Sequence, residues 1–191
     1  GSCTPFYQKY YKLRILGFTL VSCDEDDDIA NTLWGVWKGN MYAYSQYNGT
    51  EYPATYSILA FDKDPYDYTS GSGYWIDYYS NAPWDNFSSH IQWKVYNGQI
   101  AIYSEVEGRT YYITQYSLNY NYFSGYISDG NSQPIDFNLS KTAAPDWNDY
   151  NYNGYDYDDD YEYSYYSMKK SVGIQSAPVR HIGAIQAQKQ K

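Results

Sequence analysis

Ile91-Gln92-Trp93-Lys94-Val95-Tyr96-Asn97-Gly98-Gln99-Ile100-Ala101-Ile102 decides the fold class of this chain. Ile91, Trp93 and Val95 share one parity, and Gln92 and Lys94 hold the other. Period-two alternation is the mark of a half-buried strand. Asn97-Gly98 then offers the two positive φ angles of a tight hairpin turn, and Ile100 and Ile102 resume the alternation. The same grammar recurs on either side. Asn48-Gly49 and Asp129-Gly130 sit between strand-like runs, Glu107-Gly108 is a weaker case, and Ile135, Phe137 and Leu139 alternate with Asp136 and Asn138. This rule predicts about eight strands, near 33–45, 52–61, 71–80, 90–96, 99–105, 109–116, 117–127 and 133–140. Successive short hairpins imply an all-β antiparallel meander. Such a meander loses its exposed edges by closing into an up-and-down barrel, with a two-sheet β-sandwich as the alternative.

Composition narrows the function class. The 191 residues suggest one domain with flanking segments. The net charge of −9 repels nucleic-acid phosphates, so DNA and RNA are not expected partners. The 29 tyrosines favour strands and aromatic-rich surfaces, since each ring offers a flat apolar body with a polar tip. The cysteines are Cys3 and Cys23 alone, which leaves no thiolate metal site in the folded region.

The N-terminal segment carries basic residues Lys9, Lys12 and Arg14, then an apolar run from Ile15 to Val21, then Ser22-Cys23. That order is the grammar of a secretory signal peptide. Leu20-Val21-Ser22-Cys23 resembles a bacterial lipobox, which implies that Cys23 receives a lipid through its thiol. The acids that follow, Asp24-Glu25-Asp26-Asp27-Asp28, resemble the surface-export signal of Bacteroidetes lipoproteins. The resemblance implies a protein on the outer face of the outer membrane, attached through lipid only. A buried strand over 15–23 is the alternative account of the apolar run. The chain divides into 1–28 (signal, lipid site and acidic spacer), 29–141 (folded barrel) and 142–191, a Tyr/Asp-rich then basic tail expected to be disordered.

Leu33-Trp34-Gly35-Val36-Trp37-Lys38-Gly39 adds a second resemblance. Gly35 and Trp37 are similar to the G-x-W signature that opens the barrel in lipocalins and other calycins. Glycine lets the strand bend at the closure, and the tryptophan plugs the closed end. Leu33, Gly35, Trp37, Gly39, Met41 and Ala43 form the expected inward face. Thr114-Gln115-Tyr116 resembles the lipocalin T-D-Y motif, with Gln in place of Asp. The arginine that such barrels stack on the signature Trp has no counterpart here, and the last strand ends in Lys141. The segment 20–141 as a whole resembles the lipocalin-like surface lipoproteins of the Bacteroidetes type, which implies fold and location without a defined ligand.

Candidate chemistry is sparse. Asp62, Asp64 and Asp67 lie in one loop, but their spacing and Pro65 suit a solvated connection better than a calcium site. Glu105 and Glu107 flank a turn with no second carboxylate placed across a cleft. Ser89 and His90 are adjacent, so on a strand they point to opposite faces and form no dyad. Trp75 and Asp77 share a parity; an inward Asp77 needs a partner such as a Tyr or Arg109, as a structural bond in preference to a ligand contact. Tyr79, Trp84 and Phe87 crowd one connection, where they either stack on sugars or fold back to cap the barrel mouth. These residues point to a non-catalytic, lipid-anchored surface protein that binds a small apolar or glycan-derived ligand without metal or cofactor. The alternative is a structural or adhesive lipoprotein acting through its Tyr-rich tail. Oligomeric state is left open.

Overall fold

The computed structural model describes residues 22–157 and 177–183. A helix, α1 (Ser22–Leu33), precedes the strands. In chain order these are β1 (Gly35–Asn40), β2 (Ala43–Tyr47), β3 (Thr50–Pro53), β4 (Tyr56–Lys63), β5 (Ser70–Tyr78) and β6 (Trp84–Tyr96). There follow β7 (Gln99–Ser104), β8 (Arg109–Leu118), β9 (Tyr122–Ser128), β10 (Ile135–Thr142), β11 (Asn153–Tyr157) and β12 (Val179–Ile182). Eight of them form a closed antiparallel barrel in the order β1-β4-β5-β6-β7-β8-β9-β10, with β10 returning to β1 through the pair Trp37↔Lys141. The all-β antiparallel barrel expected from the alternation is therefore the fold, and it is consistent with the lipocalin-like barrel that the G-x-W resemblance implied.

The excursion between β1 and β4 is a separate hairpin. Asn40–Tyr42 breaks the expected 33–45 strand: the Tyr42 amide bonds to Asn40 Oδ1 at 2.7 Å and its φ is +49°. The hairpin β2–β3 is joined by β12 into a three-stranded sheet over the end of the barrel opposite α1. The turns expected to need positive φ have it, with Asn97 at +49° and Gly98 at +73°. Gln115, in the motif similar to T-D-Y, is at +48° and marks the bulge that interrupts β8 against β9.

The inward positions fill the barrel. Trp37, Phe61, Trp75, Trp93, Tyr111, Phe123 and Phe137 belong to one buried cluster with the alternating isoleucines. Aromatic pairs inside it meet edge to face, as Phe123 does with Phe137 at 4.9 Å and with Trp37 at 5.7 Å. Close packing of this kind leaves the interior occupied by side chains, as small barrels commonly are.

Two expected boundaries are corrected. The acidic run, expected as a spacer before the barrel, is part of the folded unit. It lies in α1, where the Asp26 carboxylate accepts the Asn97 and Gly98 amides at 2.9 and 2.7 Å and so ties the helix to the β6–β7 turn. Ala30 and Leu33 follow on the face that enters the core. The tail is also not wholly outside the fold. Trp147 stacks on Tyr74 and Tyr152 lies tilted against it, each at 4.6 Å, and β11 pairs with the first half of β6. Charge repulsion suggested disorder, but the rings dock on outward aromatics of β5 and β6, and burial of that area outweighs it. Residues 1–21, all but the last residue of the expected signal segment, and the tail portions 158–176 and 184–191 lie outside the described residues.

Candidate functional site

The two ends of the barrel differ in chemistry. At the α1 end Gly35 and Trp37 act as a unit. Gly35 has φ +119°, and a Cβ there would stand 2.8 Å from Lys141 Cε. The lysine passes over the Trp37 ring, with Nζ 4.2 Å from its centroid. Lys141 Nζ also donates to the carbonyl of Trp34, and Trp37 Nε1 donates to the Leu33 carbonyl at 2.7 Å. A lysine thus does here what the resemblance assigned to an arginine. Burial lowers its pKa, because the charged form gives up water.

At the opposite end, antiparallel pairing of β4 and β5 sets Ser57 directly across from Asp77. Trp75 and Asp77 point inward together, two residues apart on one strand. Asp77 is fully buried and accepts from Ser57 Oγ, from Trp75 Nε1 at 3.0 Å and from Arg180 Nε. Its partner is therefore Arg180 of β12 and not Arg109, which reaches Asp129 at the surface at 3.4 Å. Arg180 Nη1 donates to Glu107 Oε2 at 2.9 Å, and Tyr111 OH donates to the other Glu107 oxygen at 2.9 Å. The guanidinium lies 4.0 Å from the Trp75 ring centroid. Burial alone would lower the Arg180 pKa, but Asp77 and Glu107 outweigh it and hold the group well above its usual value. The remaining donor, Nη2, has no hydrogen-bond partner among the described residues.

The connection 79–87 takes the capping role. Tyr79, Trp84 and Phe87 are all buried, and Trp84 is ringed by Tyr47, Tyr52, Tyr79 and Tyr155 at centroid distances of 5.7, 5.4, 5.8 and 4.7 Å. A stacking platform for sugars needs open ring faces, and these rings are covered. Ser45 Oγ bonds both Tyr79 OH and Tyr155 OH at 2.8 Å. Burial raises the pKa of Tyr79, Tyr111 and Tyr155. A raised folded-state value makes their stabilising contribution complete below the ordinary tyrosine pKa of about 10 and lost above it. Cap opening is therefore expected to begin as pH rises past about 10, seen as tyrosinate absorbance that appears together with loss of near-UV dichroism. Tyrosinate forming in full while that dichroism persists would remove the buried phenols from the account.

Beside the Arg180 cluster lies a hollow of about 330 Å³ lined in part by Phe87, Glu107, Arg109, Gly154, Tyr155 and Arg180. Gly154 lines it at φ +112°, a backbone conformation that side-chain-bearing residues rarely adopt, and a Cβ there would meet Val106 Cγ1 at an ordinary contact distance of 3.4 Å. A second groove of about 590 Å³ runs along the outer wall past Lys63, Gln92, Lys94 and Tyr103. The Asp64 and Asp67 carboxylates serve their own turn, Asp64 Oδ1 accepting the Tyr66 amide at 2.7 Å and Asp67 Oδ1 the Thr69 amide at 3.3 Å. The His90 ring lies tilted against Tyr152 at 4.5 Å, and Ser89 Oγ donates to the His90 carbonyl, so the pair shares no catalytic bond.

Arg180 and the role of Glu107 were missed in the sequence. The available signal was scarcity: Arg14, Arg109 and Arg180 are the only arginines, and Arg180 shares its parity with Pro178 and Ile182 in a strand-like run. Comparison with family models, with curated proteins and with solved structures gave no match.

Proposed function

We propose that this chain is a non-catalytic binding protein of the bacterial cell surface, lipid-anchored at Cys23, that takes a small glycan-derived ligand in the hollow beside Arg180. The hollow carries the reading. It sets the half-buried ring of Tyr155 next to the charged groups of Glu107 and Arg109. A sugar presents the matching pair of surfaces, an apolar ring face and hydroxyls that both donate and accept. The apolar-ligand version loses ground, since the interior positions of the barrel are taken by packed side chains.

Catalysis has little support in this geometry. Asp77 is held by Ser57, Trp75 and Arg180, and Glu107 by Tyr111 and Arg180. Carboxylates committed in this way are poor proton shuttles. The anchor rests on the lipobox-like residues and the acidic run. Cys23 lies in the first turn of α1, close to the barrel in sequence.

Titration of the chain with a panel of mono- and disaccharides, followed by chemical shifts of the Tyr155 and Phe87 rings, tests the proposal. Saturable shifts are expected for at least one sugar. Val106→Trp, which fills the hollow from a half-exposed position, is expected to abolish them without loss of stability. Shifts that survive this variant, or none for any sugar, would discard the hollow as the seat.

A further inference from the structure

Among the described residues, the most exposed aromatic side chains all stand at one end. Trp34, Tyr66, Tyr68, Tyr96, Tyr120 and Tyr122 range from 52% exposed for Tyr68 to 90% for Tyr66. No other Trp, Tyr or Phe among the described residues exceeds the 42% of Tyr126. Topology explains the grouping. Trp34 follows α1 directly, Tyr66 and Tyr68 lie in the β4–β5 turn, Tyr96 precedes the β6–β7 turn, and Tyr120 and Tyr122 lie at the β8–β9 turn. Each of these turns is tied to α1 or to the residue after it: Lys63 donates to Asn31, Asp26 holds the Asn97 and Gly98 amides, and Lys141, whose amide bonds to the Asn121 carbonyl, reaches Trp34. The six rings therefore surround the end of the barrel that α1 closes.

We infer that this aromatic ring is a membrane-docking face, seated in the headgroup layer of a zwitterionic lipid surface. Three observations choose that occupant. The rings are Tyr and Trp rather than Leu or Ile, and those amphipathic types settle at the boundary between lipid and water. Cys23 lies in the first turn of the helix at this same end, so a lipid on it would draw this end to the bilayer. The acids of α1 stand here too, and they disfavour an anionic surface. The inference deepens the anchored reading above. It adds an orientation, with the α1 end against the membrane and the hollow beside Arg180 turned away from it, toward solutes.

The test uses the full chain with Cys23→Ser, which removes the lipid attachment; the apolar run over 15–21 is common to every variant, so the ring is read from the difference between them. Phosphatidylcholine vesicles containing brominated lipid are expected to bind it weakly and reversibly and to quench its tryptophan emission, Trp34 being the most exposed of the tryptophans. Vesicles rich in phosphatidylglycerol are expected to bind it less. The combined variant Tyr66→Ser, Tyr96→Ser, Tyr120→Ser is expected to lose roughly tenfold in partition, from the apolar ring area it no longer buries. The matched set Tyr103→Ser, Tyr112→Ser, Tyr126→Ser, on the barrel wall, is expected to change nothing. No binding by the Cys23→Ser chain, or equal loss from the two sets, overturns the docking face. The anchor is read separately, from the intact mass of the native-sequence chain recovered from bacterial membranes. A chain without added diacylglycerol would end the anchored reading and leave the vesicle result to stand alone.

Discussion

Arg180→Ala is expected to destabilise the protein by about 3–5 kcal/mol, read as a lower urea midpoint. The size follows from what the side chain leaves behind. Asp77 is fully buried, and Glu107 is 11% exposed in its side chain, so neither carboxylate can turn to bulk water when the guanidinium goes. The cost of an uncompensated buried charge exceeds the modest net worth of the pair itself. Arg180→Lys retains one charge but not the fork that spans both acids, so it is expected to recover only part of the loss. Arg180→Met combined with Asp77→Asn and Glu107→Gln removes the charge problem while keeping volume, and is expected to be markedly more stable than Arg180→Ala. If the combined variant is no better, the arginine matters for packing on Trp75 and Phe87 and not for charge. If Arg180→Ala stays within about 1 kcal/mol of the parent, the buried cluster does not hold this end together.

The same arginine marks where reading the sequence stops working. Ile91, Trp93, Val95, Ile100 and Ile102 all proved buried, because period-two alternation around Asn97-Gly98 is a local signal carried by adjacent residues. Gly35 and Trp37 were legible through their resemblance to the G-x-W signature, also a short local pattern. Asp77 was half legible: it shares its parity with Trp75, and an inward carboxylate must have a partner, but the sequence left its direction open. The partner was not, since Arg180 lies 103 residues away in a strand of four residues, too short to display a period. Its neighbours Lys169, Lys170 and Lys189 made the stretch resemble a solvated basic tail. The helix α1 was hidden for another reason. Consecutive acids are poor helix signals, and this helix draws its stability from Asp26 on the Asn97-Gly98 turn and from Leu33 in the core, both tertiary contacts. Tyr152 and Tyr155 were counted with the acids around them, when the faces of their rings decide their place.

Trp37→Ala is expected to cost about 3–5 kcal/mol, the range for truncating a fully buried aromatic side chain. The loss has three parts at one place: the packing against Phe123, the hydrogen bond to the Leu33 carbonyl and the seat of Lys141. Trp37→Phe keeps a ring under the lysine and loses the N–H, so it is expected to cost less. Lys141→Met is expected to be close to neutral. Burial already disfavours the ammonium, and a methionine covers the Trp37 ring while ending that desolvation. Hydrogen exchange separates this end from the other. With the tryptophan truncated, α1 loses its footing, and the Asn97 and Gly98 amides held by Asp26 are expected to exchange faster. The amides of β4 and β5 around Ser57 and Asp77 are expected to keep their protection, because the Arg180 cluster holds that end independently. Equal acceleration at both ends would mean that the barrel opens as a single unit, with the plug of Trp37 and the lock of Arg180 stabilising one transition instead of two.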